Sequence, residues 1–172
     1  ELEQWTISIS GFRILRNPIL NKGCAFDEEE RSTLNLIGCL PHHVETLEEQ
    51  AIRFYQRFQS FTRTINQHIF LKNIFNYNQT LFFRLVSDHL VEMLPIIYTP
   101  VVGDAVKSFS HEFSHTRGLY LTYPDMDKME TMMNSSIIKE AKLIIVTDGE
   151  GVLGIGDQGI GGMYISIAKG MV

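Results

Sequence analysis

Hydrophobic residues in the first half of the chain recur at intervals of three and four, the spacing of an amphipathic helix. The clearest series follows Thr46 and Glu49, whose types and spacing are those of a capping box at a helix start. This spacing places its six members on one helical face: Leu47, Ala51, Phe54, Phe58, Phe61 and Ile65. Such a face must be buried, so the pattern predicts a helical lobe.

Two further helices are predicted from their end signals. Asp27, with Glu30 three residues later, is a candidate N-cap for a helix that ends near Gly38. A later helix is predicted from Asn78 to Met93 and is stopped by Pro95. Residues 1–92 are therefore predicted to form a helical N-terminal lobe.

The second half predicts strands alternating with helices. Short apolar runs at 96–98 and 119–121 are candidate strands, and the continuous run at 143–146 is typical of a parallel strand covered on both faces. Helices are predicted at 101–113 and 125–133. We therefore predict the α/β class, with a helical N-terminal lobe followed, over 93–172, by an α/β domain with a mostly parallel sheet.

The composition of the chain argues against two classes of partner, nucleic acid and membrane. The 172 residues carry a net charge of −5, which argues against nucleic acid as a partner. No apolar run approaches the roughly 20 residues that span a bilayer, and the first residues do not resemble a secretory signal, so we expect a cytoplasmic protein without membrane contact. The last residues look like an unfinished helix, and we expect the natural chain to continue beyond Val172.

A glycine-rich segment matches the dinucleotide-binding pattern G-x-G-x-x-G at Gly154, Gly156 and Gly159. In a dinucleotide fold, such glycines let the backbone approach a pyrophosphate at a helix N-terminus. A tight turn with close backbone packing produces the same pattern. A single match therefore leaves both interpretations open.

A second pattern, H-E-x-x-H, occurs at His111, Glu112 and His115. Two histidines four residues apart on one helical face can hold zinc, with the glutamate as a base. Here the pattern falls at a predicted helix end, where histidines are also favoured by the helix dipole. A zinc hydrolase is therefore the weaker interpretation.

Several strings, in order along the chain, resemble the malic enzyme family. They are LNKGCAFDEEER, LNLIGCLP, TLEEQ, NQTLFFRLV, MLPIIYTPVVG and IIVTDGEGVLGIGDQGIGGM, which lie between Leu20 and Met163. The string MLPIIYTPVVG contains Tyr98, and Lys169 lies six residues beyond the last string. Residue type alone would not single out either residue, since a tyrosine is usually packed and a lysine usually reaches solvent.

The resemblance implies an enzyme that oxidises L-malate at C2 with NAD or NADP and decarboxylates the product with Mg²⁺ or Mn²⁺. It assigns Tyr98 as the proton donor to the enol carbon and Lys169 as the base that takes the C2 hydroxyl proton. A lysine acts as a base near neutral pH only when burial or nearby positive charge lowers its pKa. The apolar residues Ile165, Ile167 and Ala168 are compatible with burial of this part of the chain.

The resemblance also implies that the G-x-G-x-x-G here is an active-site segment and that the Rossmann domain and the metal ligands lie outside this chain. We therefore expect this stretch alone to be inactive, and the enzyme to be a homodimer or homotetramer. The strings are most similar to bacterial NAD-type malic enzymes.

One position departs from the family pattern. Many malic enzymes have TDGER, whose arginine contacts substrate or cofactor, where this chain has TDGEG with Gly151. Loss of a bidentate carboxylate partner should change substrate placement. Malolactic enzymes, close relatives that convert L-malate to L-lactate and CO₂, resemble this chain in having glycine there. They remain an alternative, as does an assembly module that has no activity of its own and uses the aromatic face of Phe54 to Phe61.

Overall fold

The computed structural model describes residues 7–115, 117–134, 141–152 and 154–172, which form two compact units. The first unit extends to Ile97 and the second begins at Tyr98. The first unit contains α1 (Phe12–Leu15), α2 (Glu28–Thr33), α3 (Leu47–Gln59), α4 (Thr64–Tyr77), α5 (Gln79–Asp88) and α6 (Leu90–Ile97). The second contains α7 (Val101–Lys107), α8 (Phe109–Glu112), α9 (Met129–Met133) and α10 (Met163–Lys169). Single 3₁₀ turns occur at Gly23–Ala25, Tyr123–Lys128 and Gly159–Gly162.

Both predicted N-caps in the first unit are confirmed. Asp27 and Glu30 form a reciprocal capping box at the start of α2. Thr46 and Glu49 form another at the start of α3, where the Glu49 carboxylate accepts a 2.7 Å bond from the Thr46 N–H. Each box satisfies backbone donors that a helix start would otherwise leave unpaired.

The aromatic face of α3 is packed inside the first unit. Phe58 is fully buried, and the rings of Phe54 and Phe61 lie 5.9 Å and 5.3 Å from that of Phe70 on α4. The remaining core comes from α4, α5 and α6, through Leu71, Ile74, Phe75, Leu81, Phe82, Leu85, Met93 and Ile97. Because internal contacts engage this aromatic face, it offers no support for a separate assembly role.

Three helix ends differ from the prediction. The helix after Asp27 ends at Thr33 instead of near Gly38, and α3 ends at Gln59, before the last two members of its apolar series. The predicted helix at 78–93 is interrupted at His89, and Pro95 lies inside α6. A proline there removes a bond to the carbonyl of Val91, and because Val91 is 92% exposed, water can satisfy that carbonyl.

The predicted α/β class is wrong. Across the described residues the chain is helical and has no strand, and Val152 and Gly156 form only an isolated antiparallel bridge. The run at 96–98 overlaps the end of α6, and the runs at 119–121 and 143–146 are irregular. β-branched side chains favour a strand only where a neighbouring strand supplies hydrogen bonds and packing. Among the described residues no strand lies beside this run, and Leu143 and Val146 are 77% and 84% exposed.

The domain division between residues 92 and 93 stays a prediction; that position lies within α6, and the chain divides into its two compact units between Ile97 and Tyr98. No helix among the described residues has both the length and the apolar character needed to cross a bilayer.

Candidate active site

Tyr98 is the first residue of the second unit and lies just before α7. Its main-chain carbonyl accepts a 2.8 Å hydrogen bond from the Val102 N–H, which fastens the tyrosine to the first turn of α7. The Thr99–Pro100 peptide between them is cis, and Pro100 occupies the N-cap position. The Tyr98 side chain is half-buried. The backbone of Tyr98 is thus fixed relative to α7 while its ring remains partly accessible.

Lys169 is the last residue of α10. Ala168 beside it is fully buried, whereas Lys169 itself is exposed in this chain. The helix is held by its buried residues Tyr164, Ser166 and Ala168. The apolar sequence around Lys169 therefore buries the helix and leaves the ammonium group accessible.

Helices α7 and α10 pack against each other. A Cβ on Gly161, just before α10, would lie 3.1 Å from the carbonyl oxygen of Val106 at the end of α7. The ring of Phe109, which begins α8, lies 6.5 Å from that of Tyr164 in the first turn of α10. The end of α7 therefore meets the beginning of α10.

The glycines of the G-x-G-x-x-G segment form an open stretch of backbone before α10. Gly154, Gly156 and Gly159 are exposed and have positive φ, and a Cβ on any of them would meet no described heavy atom within 4 Å. Gly151 is also exposed and open, with φ outside the positive range. The Cβ of an arginine at position 151 would therefore meet no described heavy atom within 4 Å.

Three other glycines of this segment, which sequence reasoning did not single out, make close contacts with main-chain atoms. A Cβ on Gly149 would lie 2.4 Å from the carbonyl oxygen of Gly159, and one on Gly162 would lie 2.5 Å from the Cα of Gly149. Gly161 has the contact to Val106 described above. The only sequence signal was the density of glycine, which does not distinguish open positions from crowded ones.

The second unit also buries polar groups that the sequence did not indicate. Burial raises the pKa of Tyr120, whose buried hydroxyl has no hydrogen-bond partner among the described residues. Burial, and then the charge of Glu112, raise the pKa of Tyr164 above its ordinary range. Desolvation lowers the pKa of the half-buried Arg117 guanidinium. No pattern along the sequence predicts such burial, because it depends on neighbours distant in the chain.

The H-E-x-x-H residues do not form a zinc site. Helix α8 ends at Glu112, so His111 and His115 do not share a helical face. His115 is exposed and its Nδ1 lies 3.2 Å from Ser114 Oγ. The described part of the chain contains no group of three or more histidine, cysteine, aspartate or glutamate residues that could hold a metal ion.

Comparison with known proteins places these residues in a family. The model of the malic enzyme N-terminal domain matches residues 75–172, a range that contains both Tyr98 and Lys169. The chain belongs to the malic enzyme family. The earlier resemblance is thereby confirmed over more than half of the chain.

The similarity extends to nearly the whole sequence. The NAD-dependent malic enzymes of Aeromonas salmonicida and Psychrobacter arcticus are 52% and 50% identical to the chain over 163 residues. Each alignment covers 95% of this chain and 29% of the relative. The chain thus spans less than a third of the length of these curated relatives.

Proposed function

We propose that the full-length protein oxidises and decarboxylates L-malate to pyruvate and CO₂, with NAD as the hydride acceptor. The observation that carries this proposal is the family match over residues 75–172, together with relatives whose names specify an NAD-dependent malic enzyme. NADP remains an alternative, because the residues that would select between the two cofactors are not identified in this chain.

Lys169 acts as the base and Tyr98 as the acid in this proposal. Lys169 Nζ takes the proton of the C2 hydroxyl while the C2 hydride leaves for NAD, which gives the 2-keto acid. Loss of CO₂ leaves the enolate, and the Tyr98 hydroxyl donates a proton to its C3, which completes pyruvate. The proton that Lys169 took from the C2 hydroxyl then balances the one that the Tyr98 phenolate has lost. The side chains suit these roles, since an amine can accept a proton and a neutral phenol can donate one.

The packing of α7 against α10 supports the pairing of these two residues. The two helices are in contact, and the end of α7 meets the beginning of α10. Tyr98 lies three residues before α7, and Lys169 ends α10. Seven-residue helices are only about 10 Å long, so both side chains could reach one small substrate.

The proposed reaction would also require a divalent metal ion. Mg²⁺ or Mn²⁺ would polarise the keto oxygen in such a reaction. The described residues do not fit a metal site, so no step of the proposal passes through a metal held by this stretch. Gly154, Gly156 and Gly159 stay in the proposal as open backbone beside substrate or cofactor.

We further propose a cytoplasmic homodimer or homotetramer that binds neither nucleic acid nor membrane.

The test uses full-length protein with L-malate, NAD and Mn²⁺, and follows malate, NADH, pyruvate and lactate. We expect malate loss matched by NADH and pyruvate, and unchanged malate would overturn the proposal. Lys169→Ala should lower the rate of malate oxidation by about 100-fold or more while malate binding remains measurable. Near-normal turnover in that variant would refute the assigned role of Lys169.

A malolactic reaction is the second candidate, and Gly151 is the observation that favours it. In that reaction NAD is retained and L-malate yields L-lactate and CO₂. Lactate formation without net NADH in the same assay would select it. Because position 151 is open, Gly151→Arg can test the link directly. If the missing guanidinium governs substrate placement, Gly151→Arg should change the KM for malate by about tenfold, and Gly151→Gln provides an uncharged control.

A further inference from the structure

Two glycines outside the G-x-G-x-x-G pattern cross at van der Waals distance in the second unit. Gly149 lies in the turn that follows residues 143–146, and Gly162 lies immediately before α10. A Cβ on Gly162 would lie 2.5 Å from the Cα, 3.0 Å from the oxygen and 3.2 Å from the carbonyl carbon of Gly149. All three contacts are to main-chain atoms, so no side-chain rotation could relieve them.

Two hydrogen bonds fix the backbone of Gly149 at the crossing. The Gly149 N–H donates to Thr147 Oγ1 at 3.1 Å, and the Gly149 carbonyl accepts from the Gln158 N–H at 3.3 Å. Gly149 and Gly162 are both buried. The beginning of α10 therefore packs against a turn that these two hydrogen bonds hold in place.

The geometry points to a positioning role: the Gly149–Gly162 crossing sets the placement of α10 and, through it, of Lys169. A helix transmits displacement of its first turn to its last because its backbone hydrogen bonds make it stiff over this length. This inference rests on the proposed function, since it requires Lys169 to be the base. Both glycines are buried, which fits a positioning role.

Gly162→Ala tests the role with little backbone strain. Gly162 has φ −58° and ψ −25°, which alanine adopts freely, so the substitution changes only the space at the crossing. Gly103→Ala is the matched control, because Gly103 lies in α7 with no described heavy atom within 4 Å of its Cβ position. Both variants are made in the full-length enzyme.

We expect Gly162→Ala to lower kcat for malate oxidation by about tenfold to 100-fold, since a displacement near 1 Å can have that effect. KM for malate should change much less, and Gly103→Ala should match wild type. A kcat within twofold of wild type for folded Gly162→Ala would overturn the inference.

A double-mutant cycle separates positioning of Lys169 from general damage. If Gly162 acts through Lys169, then Gly162→Ala should cause little further loss in a Lys169→Ala background. A further loss as large as that in wild type would show that the crossing does not act through Lys169. Should Gly162→Ala fail to fold, Thr147→Val removes the hydroxyl that accepts from the Gly149 N–H at 3.1 Å, loosens the turn at the crossing, and is judged by the same cycle.

The two hypotheses fail differently. Wild-type enzyme that does not consume malate, or a Lys169→Ala enzyme with normal turnover, refutes the proposed function. An active wild type with an impaired Lys169→Ala enzyme and an unimpaired Gly162→Ala enzyme refutes only the positioning role.

Discussion

At the scale of single residues, Arg31 organises the largest polar network described in the first unit. Its guanidinium is buried in α2 and donates to carbonyl oxygens of the chain around it, at 2.7 to 3.3 Å. The acceptors are the carbonyls of Cys24, Phe26, Pro41, His42 and His43. One planar side chain thus ties two irregular segments to one short helix.

Arg31→Lys should destabilise the full-length protein by about 3 kcal/mol, because an ammonium cannot reproduce five donors in a fixed plane and leaves carbonyls unpaired. Urea unfolding followed by circular dichroism provides the measurement. Arg13→Lys, at an exposed position of α1, should be within about 0.5 kcal/mol of wild type. Equal unfolding midpoints for the two variants would contradict the role given to Arg31.

Tyr164 should make stability depend on pH in the alkaline range. Burial, and then the charge of Glu112, raise the pKa of this phenol. Above about pH 10 the unfolded chain loses the phenolic proton while the folded chain keeps it, so stability falls as pH rises. Tyr164→Phe should weaken this alkaline loss, as measured by unfolding midpoints between about pH 9 and 11. If wild type and Tyr164→Phe lost stability equally over this pH range, the role given to Tyr164 would be wrong.

The sequence named some of the proposed site residues and not others. Tyr98 and Lys169 were indicated by the family resemblance, and their catalytic roles stay predictions. Gly149 and Gly162 were not indicated, because a glycine required by close approach looks the same in sequence as one in an open loop. Only the three-dimensional crossing of the backbone distinguishes them.

At the scale of elements, local signals worked best where the interaction is local. The N-cap at Asp27 and the capping box at Thr46 were predicted because all the atoms of each lie within four residues. The strand at 143–146 was predicted from β-branched side chains alone and is not observed, since a strand depends on a partner that its own sequence does not specify. The interruption at His89 was missed for a related reason: the apolar spacing continues through it.

The cap of α3 should contribute measurably to stability. Thr46→Ala removes the acceptor for the Glu49 N–H and should cost about 1 kcal/mol. Thr80→Ala, at an exposed position inside α5, is the matched control and should cost less. Thermal unfolding of both variants distinguishes the cap from the general effect of removing a threonine.

At the scale of the whole molecule, this chain presents apolar surface that its own residues do not cover. Leu143, Ile144 and Val146 are 77%, 53% and 84% exposed. The relatives are more than three times as long, since the chain covers 29% of them. The proposed base, Lys169, is exposed as well, so the proposal places the completion of its surroundings in the longer protein.

A polypeptide of these 172 residues should therefore form no NADH from malate and NAD, with or without Mn²⁺. The expected cause is an incomplete site, since the described residues include no metal-binding group. The full-length protein at equal molar concentration is the positive control. Measurable NADH production by the 172-residue chain would contradict this expectation and would place the cofactor and metal sites within it.

The crossing of Gly149 and Gly162 has an evolutionary consequence. A steric conflict between two side chains can be repaired by making the second one smaller, so such pairs can change together. Here each partner is already the smallest residue and the conflict would be with main-chain atoms. No second substitution at the other position can compensate for the first. Lineages that retain this crossing should be able to leave it only by remodelling the loop, through an insertion or deletion between the two positions.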